Sequence, residues 1–314
     1  MASSESFGRA GAQRKELLMK KIEWPHGNRC AAAFTFDEDG ECVAFGYDKG
    51  NAPYRLSLQS EATYGPEVGL PRILDLLDEH RVPATFFVPG YTAERHQDAV
   101  REMVHRGHEV AHHGYLHERP DLLEEDQEKQ ILRKGTEILE GITGKRPRGY
   151  RAPSWEMRER TPRLLRENGF LYDSSLMGDD EPYLIQAGGK ERLLELPVHW
   201  TNDDWVHFGF CSSPELGNGI SSPSKVFDTW SEEFLGYHQF GGCFVLTLHP
   251  FVIGRPSRIR LLDRMIRLMR STENVWIATL EQIADYMIEN RLGKYHPPAD
   301  MRIEDAAQFV SVKR

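Results

Sequence analysis

Three short segments, far apart in the chain, carry side chains that can work on one divalent metal ion. Phe36-Asp37-Glu38-Asp39-Gly40 ends a seven-residue apolar run, His113-Gly114-Tyr115-Leu116-His117 follows another, and Leu246-Thr247-Leu248-His249-Pro250 ends a third. Each places ionisable groups where a buried strand would stop. A spacing of four puts His113 and His117 on one face of a helical turn, close enough to share a metal; two surface histidines beside His112 are the alternative. Asp37 and Asp39, if extended, point the same way from the backbone. Like charges so close favour a bound cation or a shared proton, whereas a solvated acidic turn is the plain reading.

Two histidines and one aspartate make a three-donor set with positions left for water and substrate, as in catalytic zinc sites. Zinc lowers the pKa of bound water towards ~7 and polarises a carbonyl oxygen. The remaining aspartate is then a candidate general base. His249 can protonate a departing nitrogen, unless it merely closes the strand end before Pro250. Arg151, in Arg151-Ala152-Pro153-Ser154-Trp155, can hold a carboxylate bidentately and keep it ionised, or can be an ordinary surface arginine. Trp155 suits a pocket wall or a core gap equally.

These residues need a scaffold of buried strands. Cys30–Phe36, Ala84–Val88, Glu109–His112, Gly169–Tyr172 and Phe244–Leu248 read as strands, the first as one covered on both faces. Pro71 opens a helix on which Leu70, Ile73, Leu74 and Leu77 share a face. Further helices are expected at 96–106, 121–142, 161–168, 257–270 and 280–291. Residues 46–68 read as a long loop, and 179–242 as an irregular insertion that shapes the substrate site. Alternating strands and helices imply an α/β fold with parallel strands. A barrel with chemistry at the carboxyl ends of its strands is expected, since the Gly-rich first turn of a doubly wound sheet is missing. The expected organisation is a polar arm at 1–20, one catalytic domain at 21–292 and a tail at 293–314.

A chain of 314 residues, 39% of them hydrophobic, can bury a large core. Its formal charge of -9 argues against nucleic acid as a partner. Cys30, Cys42, Cys211 and Cys243 form no CxxC pair and read as reduced thiols. No segment approaches the ~18 apolar residues of a spanning helix, and residues 1–20 lack the apolar stretch of a signal peptide. A cytoplasmic protein that engages no membrane is the expectation.

In order along the chain, Thr35-Phe36-Asp37-Glu38-Asp39-Gly40, His113-x-x-x-His117, Arg151-x-Pro153 and Leu246-x-Leu248-His249-Pro250 resemble the motifs of the polysaccharide deacetylase (NodB-homology) superfamily. The resemblance spans roughly residues 30–290. It implies a distorted (β/α) barrel, with zinc on Asp39, His113 and His117; manganese, cobalt and nickel suit the same donors. Asp37 would be the base, Arg151 its orienting partner and His249 the general acid. An aspartate that tunes this histidine is expected within Trp200-Thr201-Asn202-Asp203-Asp204-Trp205, where Asp203 and Asp204 are both candidates.

Glu38 departs from the common pattern of adjacent aspartates. With Tyr64-Gly65-Pro66 and Phe87-Val88-Pro89-Gly90, it makes the chain similar to a branch containing cyclic imide hydrolases and peptidoglycan-deacetylase-like proteins. Glu38, Tyr64, Trp155 and Trp200 are accordingly expected at the substrate pocket. The resemblance implies ring-opening of a small cyclic imide or ureide, with homo-oligomers (dimer or tetramer) common among such relatives. An N-deacetylase of amino sugars is the second expectation, and a non-catalytic binding protein that keeps the fold is the third.

Overall fold

The computed structural model of the protein describes residues 22–298, apart from 49, 213, 214 and 218. The polar arm at 1–20 and the stretch 299–314 lie outside the described residues. Cys30–Asp37 forms β1, with all eight residues buried, as an unbroken apolar run must be when both faces are covered. Ala84–Val88 (β2), Glu109–His112 (β3), Gly149–Tyr150 (β4) and Tyr172–Asp173 (β5) follow, each parallel to the one before it. Tyr183–Gln186 (β6) and Arg192–Glu195 (β7) make an antiparallel hairpin, and β7 pairs with β5. Cys211–Ser212 (β8) and Glu215–Leu216 (β9) form a separate ribbon. Cys243–Leu248 (β10) and Val275–Ile277 (β11) both pair with β1, and Lys294–Tyr295 (β12) pairs with β6.

The main sheet runs β10-β1-β2-β3-β4-β5-β7-β6-β12 and curls with helices outside it, a distorted (β/α) barrel as expected. Register explains why distant motifs meet. Asp37 pairs with Phe87, Val88 with His112, His112 with Tyr150, and Tyr150 with Asp173. The residues that leave these strands therefore emerge along one rim. On β1, Phe34 and Phe36 pack outward against the helices, while Ala31, Ala33, Thr35 and Asp37 alternate inward. Among the described residues no helix is long and apolar enough to cross a membrane.

The structure corrects several expectations. Residues 46–68 are mostly helical: Cys42–Tyr47 is followed by a short turn at Ala52–Tyr54, the helix Leu56–Tyr64 and a wide π turn over Gly65–Gly69. Leu56–Tyr64 buries only Leu58 and Ala62, too few positions to give a periodic signal; packing on neighbours forms this helix. The stretch 179–242 holds the β6–β7 hairpin and the 18-residue helix Pro223–Phe240, which buries Val226, Trp230 and Phe234. Pro223 and Gly241 look like breakers but occupy the first turn and the left-handed C-cap (φ 86°). Lys294 and Tyr295 belong to the sheet although 293–314 reads as a tail.

One glycine contact ties this scaffold to the site. A Cβ on Gly69 would lie 2.2 Å from the carbonyl oxygen of Pro250, and one on Gly254 would lie 2.4 Å from Gly69 Cα. The wide turn thus packs backbone to backbone against the segment that carries His249. Gly69→Ala is expected to destabilise the fold by about 1–3 kcal/mol through overpacking, visible as a lower Tm. An unchanged Tm would show that the two segments are free to separate.

Candidate metal centre and catalytic pocket

Alternation along the end of β1 sends Asp37 and Asp39 to the inner face and Glu38 to the outer one. Both acids are buried. His113 leaves β3 at the same rim, but it does not sit on a helix. The segment 113–119 is loop, and it folds back through left-handed residues at Gly114 (φ 75°) and His117 (φ 59°). The spacing of four therefore works through a tight turn rather than a helical face. The ring centroids of the two histidines lie 5.0 Å apart.

His113 Nδ1 and the carbonyl oxygen of Arg151 are 2.8 Å apart. Only a ring N–H can bridge that pair, so the lone pair stays on Nε2, 3.5 Å from Asp39 Oδ1. His117 Nε2 lies 3.8 Å from the same oxygen. Burial, only partly offset by nearby carboxylates, holds His113 below the usual histidine range; burial likewise takes His117 down to about 4. Both rings are neutral donors at neutral pH. Asp39 Oδ1 is buried without a hydrogen-bond partner, a costly state for a carboxylate oxygen. Burial also lifts this carboxyl to about 6, against the influence of His113 and His249. The donor atoms of Asp39, His113 and His117 all lie within 4.8 Å of one another. Neutral imidazoles beside an unpartnered carboxylate suit a divalent cation, and these three residues can hold one.

Asp37 is handled differently. Burial alone would raise its pKa, but Arg151, His113 and His249 more than cancel it and hold the carboxyl below its usual range. Arg151, fully buried, donates from Nη1 to Asp37 Oδ1 at 2.7 Å and to Thr35 Oγ1 at 2.9 Å. Its Nε and Nη2 donate to the Ser174 carbonyl and hydroxyl oxygens at 2.9 and 3.0 Å. The expected bidentate clamp is thus corrected to a single contact, because Ser174 takes the other edge of the fork. Asp37 Oδ2 remains, 3.9 Å from His113 Nε2. Thr35 was legible by alternation with Asp37; nothing in the sequence signals Ser174.

The third segment resolves the choice between two aspartates. His249 Nδ1 lies 2.7 Å from Asp204 Oδ1, and the His249 backbone N–H donates to both oxygens of that carboxylate. Burial would lower the His249 pKa, but Asp204, then Asp203 and Asp39, drive it well above its ordinary value. The Asp204 carboxylate thus favours the imidazolium form of His249. Asp203 instead caps the helix Asp204–Phe208 by accepting from Trp205 N at 2.6 Å, and burial pushes its carboxyl to about 7.

Asp37, Asp39, His113, His117, Asp203 and His249 all line one cavity of about 800 Å³. Aromatic side chains contribute to its walls: Phe45, Tyr47, Trp155, Trp200, Trp205 and Phe251. Trp155 stacks on Trp200 with centroids 4.2 Å apart, held there by left-handed backbone at Ser154 (φ 58°) and Trp155 (φ 55°). The other two expected pocket residues lie elsewhere. Glu38 faces outward beneath Gly65, where a Cβ would stand 3.1 Å from its Oε1. Among the described residues no side-chain hydrogen bond reaches either Glu38 oxygen, and burial, with Asp39 and Glu41 nearby, pushes its pKa well above normal, which favours the neutral acid. Tyr64 bonds the Gly254 carbonyl and Arg72 behind the site. The missed aromatic wall residues are Phe45, Tyr47, Trp205 and Phe251; the last two adjoin Asp204 and the His249-Pro250 pair in sequence, whereas Phe45 and Tyr47 carry no such signal.

With this geometry the likenesses of the chain become informative. A family model described as polysaccharide deacetylase matches residues 35–172. The peptidoglycan deacetylase of Helicobacter pylori is 34% identical over 251 residues, 72% of this chain and 86% of that protein. The crystal structure of a Mycobacterium smegmatis protein classed as a polysaccharide deacetylase is 44% identical, with a TM-score of 0.85 over 91% of this chain and 98% of its own. The structure of Puue allantoinase is 28% identical, with a TM-score of 0.75 over 86% of this chain and 95% of its own. By sequence, by fold and by the four motifs brought together at one rim, this chain belongs to the polysaccharide deacetylase family.

Proposed function

We propose that this protein hydrolyses a non-peptide C–N bond in a small cyclic imide or ureide, using a divalent metal, zinc in the first instance. The observation that carries this reading is the meeting of the Asp37 carboxylate, held by Arg151, and the His249 imidazole, held by Asp204, beside a three-donor cluster in one cavity. A divalent ion on Asp39, His113 and His117 would polarise the carbonyl and acidify a water. Asp37, kept ionised by Arg151, takes the proton of the attacking water. His249 gives its proton to the ring nitrogen as the C–N bond breaks. One C–O bond forms, one C–N bond breaks, and the products are a carboxylate and an N–H group on the same opened chain.

Trp155, stacked on Trp200, and Trp205 offer flat faces against which a planar ring can lie. The likeness to an allantoinase structure supports the same class. The similarity to a peptidoglycan deacetylase favours a second reading, N-deacetylation of an amino sugar by the same groups. Metal-loaded protein should open succinimide, glutarimide, dihydrouracil or hydantoin and stop when a chelator is added. Acetate release from chito-oligosaccharides, with all four rings untouched, would give the answer to the second reading.

The proton donor yields a prediction with a definite sign. His249 must be protonated to act, so activity falls as pH rises through its pKa. Asp204 is what raises that pKa. Asp204→Asn should therefore move the alkaline limb of the kcat profile to lower pH, besides lowering kcat. A profile with an unmoved alkaline limb would exclude His249 as the acid.

A further inference from the structure

A second cavity of about 350 Å³ lies behind the catalytic one, among the helices Leu56–Tyr64, Asp204–Phe208 and Pro256–Ser271. Arg55, Arg255 and Arg258 line it, opposed by the single carboxyl of Glu61. Arg55 is paired with Asp48 at 3.1 Å. The other two cations have no carboxylate partner among the described residues. Arg255 donates to the Phe251 carbonyl and lies over the Tyr64 ring; Arg258 donates to the Val252 carbonyl and lies over the Phe208 ring. Both are partly buried, Arg255 at the N-cap and Arg258 in the first turn of the 16-residue helix Pro256–Ser271, whose dipole adds positive potential there. Glu61 acts on both guanidiniums through space and Asp204 on Arg258, but neither carboxylate forms an ion pair with them; two partly desolvated guanidiniums beside a cavity thus keep forked N–H donors for planar or tetrahedral oxoanions.

We propose that this cavity is a binding site for a small oxoanion, a carboxylate or a phosphate, held by Arg255 and Arg258 with Arg55 at its edge. The site is separate from the metal-ligating residues, and the proposal does not depend on the reaction. It shares two wall residues, Trp205 and Phe251, with the catalytic cavity. Trp205 follows Asp204 in sequence, and Phe251 lies 5.9 Å from the His249 ring. Occupancy on one side of this wall is thereby placed to affect the other.

The test is calorimetric titration of the full-length protein with inorganic phosphate and, separately, with succinate, against chloride at matched ionic strength. Saturable binding of either oxoanion is expected, weakened at least 10-fold in Arg255→Gln/Arg258→Gln and retained in His113→Ala. The two titrants distinguish phosphate from carboxylate as the preferred class. If the double variant does not fold, the single variant Arg255→Gln should still weaken binding severalfold, since it removes one of the two forks and leaves Arg258 and its contacts in place. Heats equal to those of chloride would overturn the proposal. So would affinity unchanged in the arginine variants, or binding lost in His113→Ala and kept in the double variant, which would place the anion at the metal centre.

Discussion

His113→Ala is expected to lose stoichiometric binding of a divalent metal and to lower kcat/KM by at least roughly 10³-fold, the several kcal/mol that a Lewis-acid site supplies. The His113 Nε2 lone pair faces Asp39 because Nδ1 is committed to the Arg151 carbonyl. The adjacent His112 is engaged elsewhere: its ring packs on Tyr150 and Phe170, and its Nδ1 accepts the Gly114 backbone N–H. Elemental analysis after dialysis, with circular dichroism to confirm folding, separates metal loss from unfolding. A folded variant that keeps one metal per chain at wild-type affinity would remove His113 from the donor set. The same experiment run with zinc, manganese, cobalt and nickel also identifies the ion that restores the highest rate.

Asp37→Asn should behave in a different way. The metal stays at wild-type stoichiometry, while kcat falls about 10²–10⁴-fold, the usual contribution of a positioned base. Arg151 takes Asp37 Oδ1, and Oδ2 faces the donor cluster from 3.9 Å off His113 Nε2 without being one of its three donors. A cost in stability accompanies the kinetic loss, because Arg151 is fully buried and would keep its charge beside a neutral amide. A longer carboxylate helps decide the role: Asp37→Glu should keep stability better than rate. The sign of the pH effect follows from the depressed pKa. The base must be ionised, so any acid limb set by Asp37 lies below the ordinary carboxylate range, and rate is lost as pH falls through it. If Asp37→Asn lost its metal with its activity, Asp37 would be a ligand and the assignment of base would fail.

Much of this site was legible because strands end abruptly. The run Cys30–Phe36 can only be a strand covered on both faces, and the acids after it must then sit at the rim. Period-two alternation also separates Asp37 and Asp39 from Glu38 with no further information. That rule, followed strictly, places Glu38 outside the pocket, where the structure has it under Gly65. The histidine spacing was informative for the wrong geometric reason, since Gly114 and His117 make the turn through positive φ. A left-handed histidine has no sequence signature, because it costs energy that only the surrounding packing repays.

The sequence alone determined the strands that end in the motifs, the helix that Pro71 opens, the identities of the chemical groups and their places at strand ends. Those follow from local rules of hydrophobic period, turn residues and residue chemistry. Tertiary structure alone decided which groups touch. Parallel register brought residues 37, 113, 151 and 249 to one rim, Ser174 turned the Arg151 fork, and the chain's return through β10 gave His249 to Asp204 rather than to Asp203. Such choices depend on the packing of segments far apart in the chain, a long-range property that no local pattern encodes.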